Sequence, residues 1–123
     1  MYRYATQFNE NSKTPSASGF FPEVFHNSIM AREGHRDILE KICLILIRDP
    51  FDEKMIVIKV ERFKELVAKK HIQVFEVKPW GKGRLARMFS TLIIGDYASV
   101  YLAILNGEDP SSISLISQLK NIS

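Results

Sequence analysis

Hydrophobic positions in the middle of the chain predict a strand, a helix and a second strand. Residues 41–49 form a continuous apolar run that ends at Asp-Pro, as expected of a strand buried on both faces. From Ile56 to Val67, apolar residues recur at i, i+4, i+7 and i+11, which defines one face of a helix. Residues 71–79 alternate sufficiently to form a second strand. The short joints indicate a βαβ unit, and therefore a parallel sheet with a right-handed crossover.

Helical patterns flank this unit. Residues 2–11 are compatible with a short helix, and another helix is expected to begin near His26 or Asn27. The longest helical stretch covers residues 84–105, and a short last helix is expected near residues 112–120. The break between the first two helices, residues 12–19, is rich in Ser and contains Pro, which is typical of a loop.

The long helix carries apolar residues on more than one face, which predicts burial between layers. Trp80, Tyr97 and Tyr101 are expected in the core, as is Cys43 within the first strand. Two parallel strands alone do not form a stable sheet, and a buried helix needs neighbours on several sides. The predicted fold class is therefore α/β, a partial three-layer α/β/α domain. Its missing strands are expected from another copy, another subunit or a longer parent chain.

Composition and charge remove several classes of function. The 123 residues make one domain or part of one, and 46% hydrophobic content is ordinary for a globular protein. Unbroken apolar runs are short and no signal peptide is evident, so a cytoplasmic protein without a membrane partner is expected. The net charge is +3, but the basic residues alternate with acidic ones along the chain, as at residues 32–37. Nucleic-acid binders usually concentrate basic residues on one face, so no nucleic-acid partner is expected. One cysteine and three scattered histidines argue against a structural zinc site.

Two quoted segments carry a family resemblance. "TQFNENSKTPSASGFFPEVFHN" followed by "GRLARMFSTLIIGDYASVYLAILNGEDPSSISLISQLK" resembles the C-terminal region of the bifunctional phosphoglucose/phosphomannose isomerases of archaea and some bacteria, in the sugar isomerase (SIS) domain group. Two departures from the family pattern are Phe25 and Ser28, where the family has Asn and Glu. The resemblance implies that residues 1–123 are a C-terminal SIS-type domain whose N-terminal SIS domain is absent. The matching residues are Gln7, Asn9, Glu10, Asn11, Lys13, Pro22, Glu23, His26, Asn27, Ile29, Gly95, Asp96, Tyr97, Ser99, Tyr101, Leu102, Ala103, Gly107, Asp109 and Pro110.

The resemblance implies aldose–ketose isomerisation of a hexose 6-phosphate through an enediol. Such a reaction needs a base that moves a proton between C1 and C2, and a carboxylate can do so. Glu10 matches the family's base, and Asn9 and Asn11 are expected beside it as substrate-binding residues that orient the carboxylate. Without the resemblance, a solvent-exposed glutamate at a helix end would be the simpler interpretation.

Further roles follow from the resemblance. His26 matches the histidine that opens the sugar ring and reaches the active site of the adjacent subunit, which implies a homodimer. Lys120 matches a catalytic lysine near the ring oxygen, and Ser111 and Ser112 are expected to contact substrate. The mechanism calls for no metal and no organic cofactor. The expected partners are a hexose 6-phosphate and either a second copy or an N-terminal SIS domain.

Other interpretations stay open at this point. Residues 16–19 resemble a phosphate-binding loop only in composition, and a plain turn is favoured, so the chain alone is expected to be inactive. A non-catalytic SIS-like module for sugar-phosphate binding or assembly is the alternative, and nucleic-acid binding is a distant third. Asp96 is expected to pair with a basic group, and His35 and His71 are expected on the surface.

Overall fold

The computed structural model describes residues 2–121, apart from the side chain of Asn27. The elements in chain order are helix α1 (Tyr2–Asn11), a 3-10 turn (Glu23–Phe25), α2 (Asn27–Met30), a second 3-10 turn (Ala31–Glu33), α3 (Arg36–Leu39), strand β1 (Cys43–Ile47), α4 (Lys54–Ala68), strand β2 (Gln73–Val77), α5 (Arg84–Leu105) and α6 (Ser114–Lys120). The predicted mixture of helices with a short parallel sheet is confirmed.

The chain divides into two compact units. Unit 2 comprises Gly19–Thr91, and unit 1 comprises the described residues before Gly19 and after Thr91. The sheet and α4 therefore belong to unit 2, whereas α1 and α6 belong to unit 1.

Unit 2 contains the predicted βαβ unit. β1 and β2 pair in parallel over their full length, from Cys43 opposite Gln73 to Ile47 opposite Val77. The hydrophobic periodicity of α4 places one face of that helix inside, as predicted. The buried core residues of this unit are Leu39, Leu46, Val60, Phe63, Val67 and Ile72.

Aromatic rings close the core of unit 2. The rings of Phe21 and Phe25 lie 4.8 Å apart, and each ring centroid lies 6.0 Å from that of Phe63 in an edge-to-face arrangement. Such pairs contribute beyond the apolar area that they bury. The segment after the polar loop is therefore part of the core of unit 2 and is not a linker.

Unit 1 is built on the close approach of α1 to α5. Tyr4, Ala5 and Phe8 are the buried residues of α1. On α5, small residues spaced four apart are buried: Gly95, Ser99 and Ala103. A Cβ atom at Gly95 would lie 2.6 Å from Cε2 of Tyr4, so glycine is required for the helices to approach this closely. 

Burial was predicted wrongly for four side chains. Trp80, Tyr97 and Tyr101 are 58%, 62% and 63% exposed, and Cys43 is exposed rather than buried. β1 is also shorter than the apolar run and only partly buried. Apolar side chains are buried only where a second layer covers them. The described residues do not provide such a layer over these four side chains.

The long helix α5 has the predicted bounds, but the predicted burial is not found within this chain. Only 22% of its most apolar 18-residue window is buried, and that window has a mean hydropathy of 1.6. The helix is therefore long and apolar enough to cross a membrane by length and composition, contrary to the expectation that no segment would be. The core helix of a soluble protein meets the same criterion, so composition alone does not assign α5 to a membrane.

Candidate functional site

Glu10 lies in the last turn of α1, on the surface of unit 1. Its side chain is exposed, and its carboxylate makes no hydrogen bond or ion pair with any residue in the described range 2–121. Its main-chain carbonyl, in contrast, accepts a hydrogen bond of 2.8 Å from Nζ of Lys13. The backbone at Glu10 is thus anchored while its acid group remains available.

The two asparagines beside Glu10 bond to the protein itself. Asn9 accepts a hydrogen bond from the Ser16 amide at 2.8 Å and donates from Nδ2 to the Ser16 carbonyl at 3.1 Å. Asn11 donates from Nδ2 to Oγ of Ser99 at 2.8 Å and to Oε1 of Gln7 at 3.2 Å. These contacts fasten the polar loop and α5 to the end of α1. Direct contact of either amide with substrate stays a prediction.

Lys13 joins two segments that are distant in sequence. Its Nζ donates to the carbonyls of Glu10 and Asn11 at the end of α1, at 2.8 and 3.3 Å. It also donates to the carbonyls of Asp109 and Ser112, at 3.0 Å each. The sequence analysis matched Lys13 to the family pattern but assigned it no role. No local signal in the sequence indicates contacts that span nearly the whole chain.

The turn at residues 109–112 is ordered by its own acid. Oδ1 of Asp109 accepts hydrogen bonds from the amide of Ser111 at 2.9 Å and from its hydroxyl at 2.7 Å. The Ser111 hydroxyl, followed by its amide, holds the pKa of Asp109 below its usual value. The amide of Ser112 donates to the Asp109 carbonyl at 3.2 Å, which closes the turn. The hydroxyl of Ser111 is therefore engaged within the turn.

The remaining two candidates lie at separate places. Lys120 is exposed in the last turn of α6 in unit 1. His26 is exposed in unit 2, directly before α2, and its side chain does not cap that helix. Unit 1 therefore contains every sequence-predicted site residue except His26, and Lys13 directly links the segments of four of them: Glu10, Asn11, Ser111 and Ser112.

Several predictions about non-catalytic residues are confirmed. Asp96 forms a two-point ion pair with Arg3, with Nη2–Oδ2 and Nε–Oδ1 distances of 2.9 and 3.1 Å, so its carboxylate is structural. His35 and His71 are exposed.

A cleft in unit 2 was not predicted from the sequence. It follows β1, has a volume of about 360 Å³ and is lined by Asp49, Phe51, Asp52, Arg84 and Arg87. The guanidinium of Arg87 lies 4.5 Å from the centre of the Phe51 ring and donates to Oδ2 of Asp49 at 3.0 Å. The Phe51 amide, and after it Arg87, hold the pKa of Asp49 below its usual value. Acids and bases balance in this cleft, so its lining does not favour one charge of ligand.

Comparison with known proteins agrees with the resemblance. Residues 1–122 match the family described as "Bacterial phospho-glucose isomerase C-terminal SIS domain". The chain is 37% identical over 119 residues to a protein of Caldicellulosiruptor bescii named bifunctional phosphoglucose/phosphomannose isomerase. Proteins of the same name from Aquifex aeolicus and Thermoplasma volcanium are 30% and 33% identical over 118 and 121 residues. These matches cover 96–97% of this chain but only 35–37% of the relatives, so the chain spans about a third of their length.

Proposed function

Because the chain belongs to the family of C-terminal SIS domains of bacterial phosphoglucose isomerases, we propose that it forms the C-terminal part of a hexose-6-phosphate aldose–ketose isomerase. The proposed reaction interconverts glucose 6-phosphate or mannose 6-phosphate with fructose 6-phosphate. The observation that carries the proposal is Glu10, whose carboxylate has no bonding partner among residues 2–121 and sits on a backbone anchored by Lys13. 

In the proposed mechanism Glu10 is the base. Its carboxylate removes the proton from C2 of the open-chain aldose and returns it to C1 of the resulting enediol, while a proton passes from O2 to O1, which gives the ketose. A base at a fixed position suits this transfer because proton transfer requires hydrogen-bond reach to both carbons. The ammonium of Lys120 stabilises the negative charge that develops on the enediol oxygens.

Ring opening is proposed to depend on His26. A histidine titrates near neutral pH and can move a proton between O5 and O1 of the closed sugar. In the family this histidine enters the site of the adjacent subunit, so we propose a homodimer with shared sites. The exposure of His26 in unit 2 supports this role, because a shared residue must be accessible to a partner.

An N-terminal SIS domain is the proposed second partner, since the relatives are nearly three times as long as this chain. Ile93, Tyr97, Tyr101 and Ile104 line one exposed face of α5, with exposures of 48–63%. Interfaces between domains usually bury roughly 600–1,500 Å², which is enough to cover these four side chains. We propose that this face packs against the N-terminal domain. We also propose that the protein acts in the cytoplasm and has neither a nucleic-acid nor a membrane partner.

The test is a chimera in which this chain replaces the matched third of the Caldicellulosiruptor relative. We expect conversion of fructose 6-phosphate by the chimera and none by the chain alone. Glu10→Gln should lower kcat roughly 10²–10⁴-fold, as removal of a general base does. Glu108→Gln is the matched control, because Glu108 is another exposed acid of unit 1, and it should leave kcat unchanged. A folded chimera without activity would favour the non-catalytic sugar-phosphate-binding or assembly module.

Whether the two subunits share active sites can be tested with dimers that combine two different inactive variants. Chimeras with Glu10→Gln and with His26→Ala should each be inactive as homodimers. A mixed dimer has one intact site if His26 acts across the interface, so random mixing should restore about a quarter of full activity. If His26 acts within its own subunit, no mixed dimer has an intact site and activity stays absent.

A further inference from the structure

We infer that Lys13 is a positioning residue for the proposed reaction, holding the end of α1 that carries Glu10 against the turn that carries Ser111 and Ser112. The inference rests on the proposed function for its consequence in catalysis. The physical connection that it describes is independent of that function and can be tested on this chain alone.

The contacts converge on a single nitrogen atom. Nζ of Lys13 lies 2.8 Å from the Glu10 carbonyl and 3.0 Å from each of the Asp109 and Ser112 carbonyls. A fourth carbonyl, that of Asn11, is the most distant at 3.3 Å. An ammonium group has three protons, so three short contacts with one shared longer contact use its full capacity. No neutral side chain supplies three donors from one atom.

The position favours a cation for an electrostatic reason. The last carbonyls of a helix have no partner within the helix and form the negative end of its dipole. The carbonyls of Asp109 and Ser112 point toward the same place and add further negative partial charge. The ammonium of Lys13 offsets this repulsion between the end of α1 and the turn at residues 109–112. The contacts to the turn span 96 and 99 residues of sequence, so the local chain does not hold these segments together.

The backbone at Lys13 is consistent with a functional constraint. Its φ of 54° lies in the left-handed region, which is unfavourable for a residue with a side chain and in which glycine is the usual choice at helix ends. Lysine in this conformation has a steric cost between its Cβ atom and the backbone that glycine would not have. The ammonium contacts supply the compensating interaction.

The consequence for catalysis is geometric. A displacement of about 1 Å in a catalytic group can lower a rate roughly 100-fold. Without Lys13, Glu10 stays on its helix and the serines stay on their turn, but the hydrogen bonds that Lys13 makes between the two segments are lost. We therefore expect a loss in kcat that exceeds any rise in KM.

The first arm of the test measures amide hydrogen exchange by NMR on the chain itself. The amide of Ser112 reports on the turn, since it donates to the Asp109 carbonyl at 3.2 Å. In Lys13→Met, which has a similar length but no donors, we expect exchange at Ser112 to accelerate about 10-fold or more, as expected when local opening becomes easier. Lys13→Gly should show the same acceleration, although glycine removes the steric cost of the positive φ at this position. Lys59→Met, which removes another exposed lysine, on α4, should have no effect.

The second arm measures kinetics of the chimera with fructose 6-phosphate. Lys13→Met should lower kcat roughly 10- to 100-fold with a smaller change in KM, and Lys13→Arg should recover most of kcat because it keeps charged donors. Unchanged exchange at Ser112 in Lys13→Met and Lys13→Gly would overturn the inference, as would unchanged kcat in an active chimera. An inactive parent chimera would count against the proposed isomerase, and the exchange arm would still decide whether Lys13 holds the turn.

Discussion

Replacing Gly95 by alanine tests the packing on which unit 1 depends. A new Cβ would lie 2.6 Å from Cε2 and 2.8 Å from Cδ2 of Tyr4, whereas carbon atoms normally rest roughly 3.5–4.0 Å apart. Tyr4 is only 8% exposed, so its ring has little room to move. Overpacking of this kind costs about 1–3 kcal/mol, and the overlap of nearly 1 Å points to the upper end. Alanine in a helix recovers about 1 kcal/mol relative to glycine, which leaves a net loss of about 2 kcal/mol.

The assay is thermal unfolding followed by far-ultraviolet circular dichroism. A loss of about 2 kcal/mol should lower Tm by roughly 8 °C in a chain of this size. Gly83→Ala is the matched control, since a Cβ at Gly83 meets no atom within 4 Å, and it should leave Tm nearly unchanged. In a Tyr4→Ala background the penalty at Gly95 should disappear. A higher Tm for Gly95→Ala would show that helix propensity outweighs the overlap and would refute the reasoning.

Three further changes test other parts of the fold. Phe63→Ala removes a ring that is 2% exposed and should destabilise the chain by about 3–5 kcal/mol in urea unfolding; a loss below about 1 kcal/mol would contradict its place in the core. Hydrogen bonding to Lys64 lowers the pKa of Glu76 below 4.5, so this stabilisation is present above pH 4.5 and is lost as the pH falls through the lower folded pKa. Glu76→Gln should therefore reduce the fall in Tm on acidification, and an unaltered pH profile would argue against the pair. A double-mutant cycle on Arg3 and Asp96 should give a small favourable coupling, because both side chains are partly solvated, and additive effects would show that the pair contributes nothing.

The sequence predicted elements well where one periodic face decides the structure. The apolar spacing from Ile56 to Val67 identified α4, and the uninterrupted helix-forming stretch identified α5 with its bounds. Exposure was predicted less well, because burial depends on what covers a face. Tyr97 and Tyr101 have core-like character but are exposed, whereas Gly95 of the same helix packs against Tyr4 of α1.

The candidate site was predictable in part. The family resemblance matched Glu10 to the catalytic base, and that role stays a prediction. The sequence also placed Glu10 at a helix end, where the structure has it. The bracing contacts of Asn9 and Asn11 were not predictable, because either amide could equally bond to substrate. The role of Lys13 was hidden for a different reason. It depends on carbonyl groups, which every residue carries and which leave no signature in a sequence.

Solvent deuterium exchange during isomerisation tests the central claim most directly. Fructose 6-phosphate is incubated in D₂O with the chimera of this chain and the N-terminal part of the Caldicellulosiruptor relative, and deuterium at C1 of the ketose and C2 of the aldose is followed by NMR. The account predicts incorporation with the parent chimera and none with Glu10→Gln. Incorporation at an undiminished rate in Glu10→Gln would contradict the assignment of Glu10 as the base.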